Sequence, residues 1–311
     1  MNTQSKIRAG VAGAGVFGGY HANKYVEAEA AELTAIFDGD LGRAEARAAD
    51  LKVKGTDDFA KFLDAVDVLT IATPAITHAE LAAQAIKAGK HVLVEKPIAM
   101  SLADADALIA AAERAGVVLQ VGHQERYVAD AFGLFDRAMP KAITSRRLNT
   151  FSGRAMDVSV VFDLMIHDLD LLAHLTGQSE ATVLRCEAKR EKGDFADDVD
   201  VELDVGGVQA RLMASRLEEM PSRDLTLDYD DGSVCLDFLA RQVTNTTPVP
   251  VATDFGAADL PLALKDPLGF GTQSFLEAVK KGVRPTVPGQ AGRRALAMAL
   301  TIEEAARDSA A

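Results

Sequence analysis

The stretch that most constrains this chain is KIRAGVAGAGVFGGYHANKYVEAEAAELTAIFD, from Lys6 to Asp38. Ile7, Ala9 and Val11 lead a short apolar run into Gly13, Gly15 and Gly18, a helical stretch follows, and a second apolar run from Leu33 to Phe37 ends on Asp38. The order is strand, glycine turn, helix, strand with an acid at its end. Asp38 lies 20 residues past Gly18, the spacing of a dinucleotide-binding fingerprint. Gly13 is expected to permit the tight turn, Gly15 to let the backbone approach a pyrophosphate, and Gly18 to let the helix pack closely on the strand. The pyrophosphate would meet the N–H groups at the positive end of the helix dipole. Asp38 would accept hydrogen bonds from the adenosine ribose hydroxyls and repel a 2′-phosphate, which favours NAD over NADP. Arg43, five residues on, is either a solvated helix-face arginine or a cation able to reach a 2′-phosphate.

Composition narrows the partners. The 311 residues are 48% hydrophobic and 25% charged, ordinary for a soluble globular chain with room for two domains. A net charge of -13 opposes nonspecific binding to nucleic acid or to an anionic membrane. No signal-peptide pattern precedes the first strand and no apolar run is long enough to span a bilayer, so a cytoplasmic protein is expected. Cys186 and Cys235 have no metal-ligand spacing and no disulfide framework, and no metal is expected.

Beyond Asp38 the alternation continues. Helices are expected at about 40–50 and 57–63, with short strands at 53–55 and 66–72, the latter apolar enough to be buried on both faces of a parallel sheet. Thr77 with Glu80 reads as a capping box opening a helix that closes at Ala88-Gly89-Lys90. A strand at 91–94 leads into Glu95-Lys96-Pro97, Ser101 with Asp104 opens a helix that stops at Gly116, and a strand follows at 117–121. The pattern predicts an α/β fold, a doubly wound parallel sheet over residues 1–123 with ligands outside the carboxyl ends of its strands. Thr73-Pro74 and Glu95-Lys96-Pro97 fall at those ends. Pro74 there also serves simply to stop a strand. Lys96, at the end of an apolar strand, would be partly desolvated, which lowers an ammonium pKa toward the range useful for proton transfer.

After Gln124 the rhythm changes. Helix is expected over 126–137, strand over 143–150, and a strong helix over 159–176. Strand-like runs at 181–190, 199–205, 209–217, 225–229 and 233–239 follow, with Asp231-Gly232 as a hairpin turn and 243–253 as loop. Two helical stretches, 266–281 and 289–307, close the chain. Residues 124–311 therefore read as an α+β domain with a largely antiparallel sheet. Within VVFDLMIHDLDLLAHLTG, Asp163 and His167 are four apart and share one helix face, where a carboxylate can orient an imidazole for proton transfer; a satisfied pair on a half-buried helix is the plainer alternative. Asp170 lies close to that face, and His123 and His174 are read as structural.

Together GAGVFG, ATPAITH, EKP and DLMIHDLDLLAHLTG resemble the glucose–fructose oxidoreductase, inositol dehydrogenase and rhizopine-catabolism family, Gfo/Idh/MocA. The resemblance runs from Lys6 to Gly177 and implies an NAD-dependent oxidoreductase acting on a secondary sugar hydroxyl. Carried over, it implies that Gly13, Gly15, Val16, Phe17 and Gly18 hold the pyrophosphate and Asp38 the ribose, that Thr73, Pro74, His78 and Glu95 lie near the cofactor, and that Lys96, Asp163 and His167 serve the chemistry. Whether Lys96 or His167 is the base stays open, since Lys96 also suits stabilising an alkoxide. A homodimer or homotetramer is usual for the family.

Arg126 to Arg154 holds six basic residues, Arg126, Arg137, Lys141, Arg146, Arg147 and Arg154, against Asp130 and Asp136, a local charge of +4. Arginine forks suit phosphate. VGHQERY and RRLNTFSGRAMDVSVVFDLMIHDLDLL are also similar to the subgroup that oxidises the 3-hydroxyl of UDP-N-acetylglucosamine and passes the ketone to an aminotransferase for lipid A or surface polysaccharide. This chain has Val128-Ala129 where that subgroup commonly has Asn-Pro. On this resemblance Lys96, Arg126, Arg154, Asp163 and His167 contact substrate. The alternatives are a free-sugar or inositol dehydrogenase of the same family, and a regulatory protein that binds cofactor without turning it over.

Overall fold

The computed structural model describes residues 6–252, 255 and 260–309. It divides into two compact units, Met1–Gly122 with Leu268–Arg293, and His123–Pro267 with Arg294–Ala311. The first therefore takes in a segment, 268–293, that a linear cut near residue 123 leaves with the second half.

The first unit alternates strand and helix: β1 (Ile7–Ala12), α1 (Val16–Glu27), β2 (Ala31–Phe37), α2 (Leu41–Leu51), β3 (Lys54–Thr56), α3 (Phe59–Asp64), β4 (Val68–Ile71), α4 (His78–Lys87), β5 (His91–Val94), α5 (Leu102–Ala115) and β6 (Leu119–Val121). The strands form one parallel sheet in the order β3-β2-β1-β4-β5-β6, which reverses direction between β1 and β4, where open α/β sheets place their ligand crevice. Every residue of β4 is buried, as expected for a strand covered on both faces. Asp40, Asp58 and Ser101 cap α2, α3 and α5 by accepting the backbone N–H three residues on, and Gly116 ends α5 with φ of 65°. These are local devices that a short polar side chain or a glycine supplies without tertiary help.

One cap differs from its expectation. A 3-10 turn over Ala75–Thr77 runs directly into α4, so Thr77 already has helical torsions. Its hydroxyl donates to the Pro74 carbonyl and meets Thr73 Oγ1 at 2.7 Å, while Glu80 accepts from Gln84. No capping box forms.

The second unit contains α6 (Glu125–Ala131), β7 (Ala142–Leu148), α7 (Ile166–Thr176), six further strands and α8 (Leu262–Lys265). The strands are β8 (Thr182–Lys189), β9 (Asp198–Val205), β10 (Val208–Ser215), β11 (Ser222–Tyr229), β12 (Gly232–Asp237) and β13 (Gln242–Asn245). They form a sheet in the order β13-β12-β11-β7-β10-β9-β8, antiparallel except where β7 and β10 run parallel. In β9 buried positions alternate with partly exposed ones, the period of a strand with one face on a core. The helix expected over 126–137 breaks at Gly133, whose φ is 71°. The loop expected over 243–253 contributes β13 at its start, and Thr253 lies outside the described residues. The helix expected over 159–176 opens with a π-turn at Val161–Met165 before α7. Two last helices, α9 (Pro267–Lys281) and α10 (Gly289–Ser309), complete the chain.

The glycine turn separates two kinds of constraint. A Cβ at Gly18 would stand 1.7 Å from the Gly13 carbonyl oxygen, whereas one at Gly15 would meet nothing within 4 Å. Gly18→Ala gains up to about 1 kcal/mol of helix propensity, but backbone overpacking outweighs it, for a net loss of about 2 kcal/mol or more. Gly15→Ala exchanges one helix-capping residue for a poorer one and costs about 1 kcal/mol or less. Urea midpoints of the two variants are the check, and equal midpoints would contradict this geometry.

Candidate functional site

In the first unit the carboxyl ends of β1, β2, β4 and β5 carry the predicted cofactor residues. Gly13 adopts φ of +112°, and a Cβ there would lie 2.5 Å from the Ala72 carbonyl oxygen, so only glycine lets the end of β1 pass the end of β4. Asp38 at the end of β2 is buried, and its Oδ2 accepts the Ala14 N–H at 2.8 Å, holding the turn to the next strand. Its Oδ1 accepts from Asp40 N–H and, at 2.8 Å, from Arg43, whose side chain is 66% exposed. Arg43 therefore neither floats free nor lies buried: it screens the carboxylate at the rim.

These residues fit a dinucleotide. No side chain caps the N-terminus of α1, and the space where a Gly15 Cβ would stand is open. Backbone N–H groups at a helix start with no capping side chain, and with room beside them, suit a pyrophosphate.

The residues after β4 and β5 form a second layer. His78 is buried with Nδ1 2.8 Å from the Pro97 carbonyl and Nε2 2.9 Å from the Thr73 carbonyl. Both neighbours are acceptors, so a neutral ring satisfies one of them, and burial pushes the imidazole pKa below its usual value. His78 thus ties the Thr73-Pro74 segment to the Lys96-Pro97 segment. Glu95 is also buried, with Oε1 2.8 Å from His21 Nε2 of α1. A Cβ on Gly122 would fall 2.4 Å from the Glu95 carboxylate, so glycine must follow β6 for that acid to fit. Lys96, next in sequence, is half-buried. His21 and Gly122 are partners that no local pattern in the sequence singles out.

In the second unit a cluster of charge surrounds His167 on α7. The acid at its Nδ1 is Glu125, the first residue of α6, with Oε2 at 2.8 Å. Asp163, which sequence spacing places on one face with His167, is carried by the π-turn Val161–Met165, and α6 adds Glu125 at the imidazole. Arg147 of β7 is fully buried. Its Nε and Nη2 donate to the two Asp168 oxygens at 2.9 and 2.8 Å, its Nη1 donates to Glu125 Oε1 at 2.9 Å, and the Phe238 ring lies 5.7 Å from its guanidinium carbon. Burial would lower this guanidinium pKa, but Asp168 and Glu125 outweigh it and raise the value. His123 is buried edge-on to His167 at 6.0 Å, with Asp170 Oδ1 at 4.0 Å, and burial pushes its imidazole down to about 4. It is uncharged at neutral pH.

The cationic segment from Arg126 to Arg154 is largely neutralised by acids that lie outside it in sequence. Arg126 is buried with Nε and Nη2 on Asp170, so those two donors do not face a ligand. Lys141 pairs with Asp230 and Arg146 with Asp224, while Arg137 donates to Thr247 and the Val249 carbonyl. A local count of +4 omits these partners. Arg154 is exposed.

Glu125 carries a testable signature. Burial pushes its carboxyl up, yet His167, Arg147 and Arg223 outweigh this and hold it well below the usual 4.5. A carboxylate depressed in the folded state stabilises above its unfolded pKa and loses that contribution as pH falls through the folded value. Chemical denaturation across a pH series is therefore expected to show Glu125→Gln less stable than the parent near neutrality, with the gap narrowing below about pH 4.5. A constant gap would contradict it.

Comparison with known proteins follows the same lines. Residues 7–123 match the GFO_IDH_MocA model, described as an oxidoreductase family with an NAD-binding Rossmann fold. Over 310 residues the chain is 35% identical to the UDP-N-acetylglucosamine 3-dehydrogenase of Acidithiobacillus ferrooxidans, covering 96% of this chain and 97% of that protein. A solved structure of that species' enzyme GnnA superimposes with a TM-score of 0.87 at 32% identity, covering 98% and 99% of the two chains. The NAD-dependent scyllo-inositol 2-dehydrogenase of Bacillus subtilis is 27% identical over 308 residues, 91% of this chain and 89% of that one.

Proposed function

The chain belongs to the Gfo/Idh/MocA oxidoreductase family, and from that premise we propose that it oxidises the 3-hydroxyl of a UDP-N-acetylhexosamine with NAD. The observation that carries the substrate is the 35% identity to a UDP-N-acetylglucosamine 3-dehydrogenase along 96% of this chain. The Glu125–His167 pair supplies a matching base.

Bound NAD supplies the hydride acceptor. The N-terminus of α1, with Gly13, Gly15, Val16, Phe17 and Gly18, holds its pyrophosphate, and Asp38 accepts from the adenosine ribose; Thr73, Pro74, His78 and Glu95 belong to the segments that border it. His167 takes the hydroxyl proton on Nε2 as the substrate C–H bond gives up its hydride and the carbon–oxygen double bond forms. Glu125 at Nδ1 fixes the tautomer that leaves Nε2 as acceptor and balances the imidazolium that results. Lys96 donates a hydrogen bond to the alkoxide as charge develops on oxygen. Asp163, Arg154 and Arg126 are the remaining substrate-side residues of this reading, Arg126 acting through Asp170 rather than by direct contact. A ketone beside an amide-bearing carbon suits transamination, so an aminotransferase is the natural consumer of the product, in lipid A or surface polysaccharide synthesis. The protein acts as a homodimer or homotetramer in the cytoplasm on this reading. No described helix is long and apolar enough to cross a membrane.

The test is the appearance of reduced nicotinamide absorbance when protein, NAD and UDP-N-acetylglucosamine are mixed with a ketone trap, beside a panel of N-acetylglucosamine, free sugars and inositols. Signal with the UDP-sugar alone is expected, and Lys96→Ala is expected to keep NAD binding while turnover falls by about 10²- to 10³-fold. Signal from an uncharged polyol alone would move the chain to the free-sugar reading. NAD binding with no turnover of any sugar would leave a regulatory role.

A further inference from the structure

Arg223 differs from every arginine discussed above. It sits on β11, directly opposite Arg147 of β7 in the antiparallel register, so the two side chains leave the same face of the sheet. On that face Arg147 has Nε, Nη1 and Nη2 engaged by Asp168 and Glu125. Arg223 is half-buried, its Nε is buried without a hydrogen-bond partner, and among the described residues no side-chain hydrogen bond or ion pair is made by its guanidinium. Burial and the neighbouring Arg147 push its pKa below the usual guanidinium value, against the pull of Glu125, Asp168 and Asp163. It therefore belongs to the charge cluster around His167, with its donors unengaged.

A partly desolvated cation with unmet donors is a cost that a fold retains without return unless a ligand supplies the acceptor. Sugar hydroxyls can accept from those donors only as neutral acceptors. An anionic oxygen accepts a stronger, charge-assisted hydrogen bond, and the planar fork of a guanidinium matches two oxygens of one phosphoryl group. Among the rival cations Arg126 is engaged by Asp170, Arg146 by Asp224 and Lys141 by Asp230, and Arg154 is exposed rather than desolvated. In a nucleotide sugar the phosphoryl group on C1 stands two ring carbons from the reacting C3, which brings an anion close to whatever base serves C3.

We propose that Arg223 is the specificity-determining residue that receives the sugar-linked phosphoryl group of the substrate beside the Glu125–His167 pair. The inference rests on the nucleotide-sugar reading and deepens it by naming the cation that separates a UDP-sugar from an uncharged one.

The experiment compares the parent with Arg223→Gln and Arg223→Lys. Calorimetry reads binding of N-acetylglucosamine 1-phosphate, N-acetylglucosamine and NAD, and steady-state kinetics reads KM and kcat for UDP-N-acetylglucosamine across pH. Arg223→Gln is expected to raise the Kd for the sugar phosphate and the KM for the UDP-sugar by about 10- to 100-fold, with NAD affinity and thermal midpoint held. Arg223→Lys, which keeps charge but not the fork, is expected to fall between, and it carries the test alone if the glutamine variant does not fold. Unchanged constants overturn the inference. So does a loss in kcat with a shifted pH profile and unaltered KM, the signature of a residue that only balances Glu125. Parent protein that binds neither UDP-N-acetylglucosamine nor the sugar phosphate fails the nucleotide-sugar reading itself, a result distinguishable before any variant is made.

Discussion

The charge cluster of the second unit depends on one buried guanidinium. Arg147 donates from β7 to Asp168 on α7 and to Glu125 at the start of α6, so three elements far apart in sequence are tied by one side chain. Removing a single partner from a buried ion pair costs about 3–5 kcal/mol because the other charge is left uncompensated. That penalty makes the arrangement all-or-none: with Arg147 in place, Glu125 is charged, its Oε1 is held, and its Oε2 lies against His167 Nδ1. On the proposed mechanism the imidazole's other nitrogen is then the proton acceptor.

The first unit solves a different problem, bringing backbone close to a bulky anionic ligand. Its means are steric rather than ionic. Gly13 lets β1 pass β4, Gly18 lets α1 lie on the turn, and Gly15 leaves space beside an uncapped helix start. Asp38 ties the turn to β2 by accepting the Ala14 N–H. Behind this rim, buried His78 and the His21–Glu95 pair hold the segments that follow β4 and β5, and so set where Lys96 starts. The role proposed for Lys96 asks for this kind of support, since a group displaced by an ångström loses most of its advantage.

What could be read from the chain alone follows from the range of the interactions involved. The parallel sheet and the Ser101 cap are written locally, as apolar runs and as a polar residue three positions before the N–H it accepts, and they appear at the expected residues. Thr77 defeats that rule because a 3-10 turn ahead of α4 denies it the extended backbone a cap needs. Glu125 is invisible to spacing arguments: it lies 42 residues from His167 and meets it only through the packing of α6, whereas Asp163, four residues away, is the acid that a sequence reading can see. The cationic segment misleads for the same reason. Its acids, Asp168, Asp170, Asp224 and Asp230, arrive from α7, β11 and the turn after it, and the half-buried Arg223 stands outside the segment.

The most direct measurement of the central claim is the protonation of His167 in the parent and in Glu125→Gln, by nitrogen-15 NMR of histidine-labelled protein near neutral pH. The account predicts a proton on Nδ1 in the parent, with Nε2 as the free acceptor of the neutral ring, and loss of that preference in the variant. A parent whose neutral His167 carries its proton on Nε2, or a tautomer that ignores the Glu125 substitution, would contradict it.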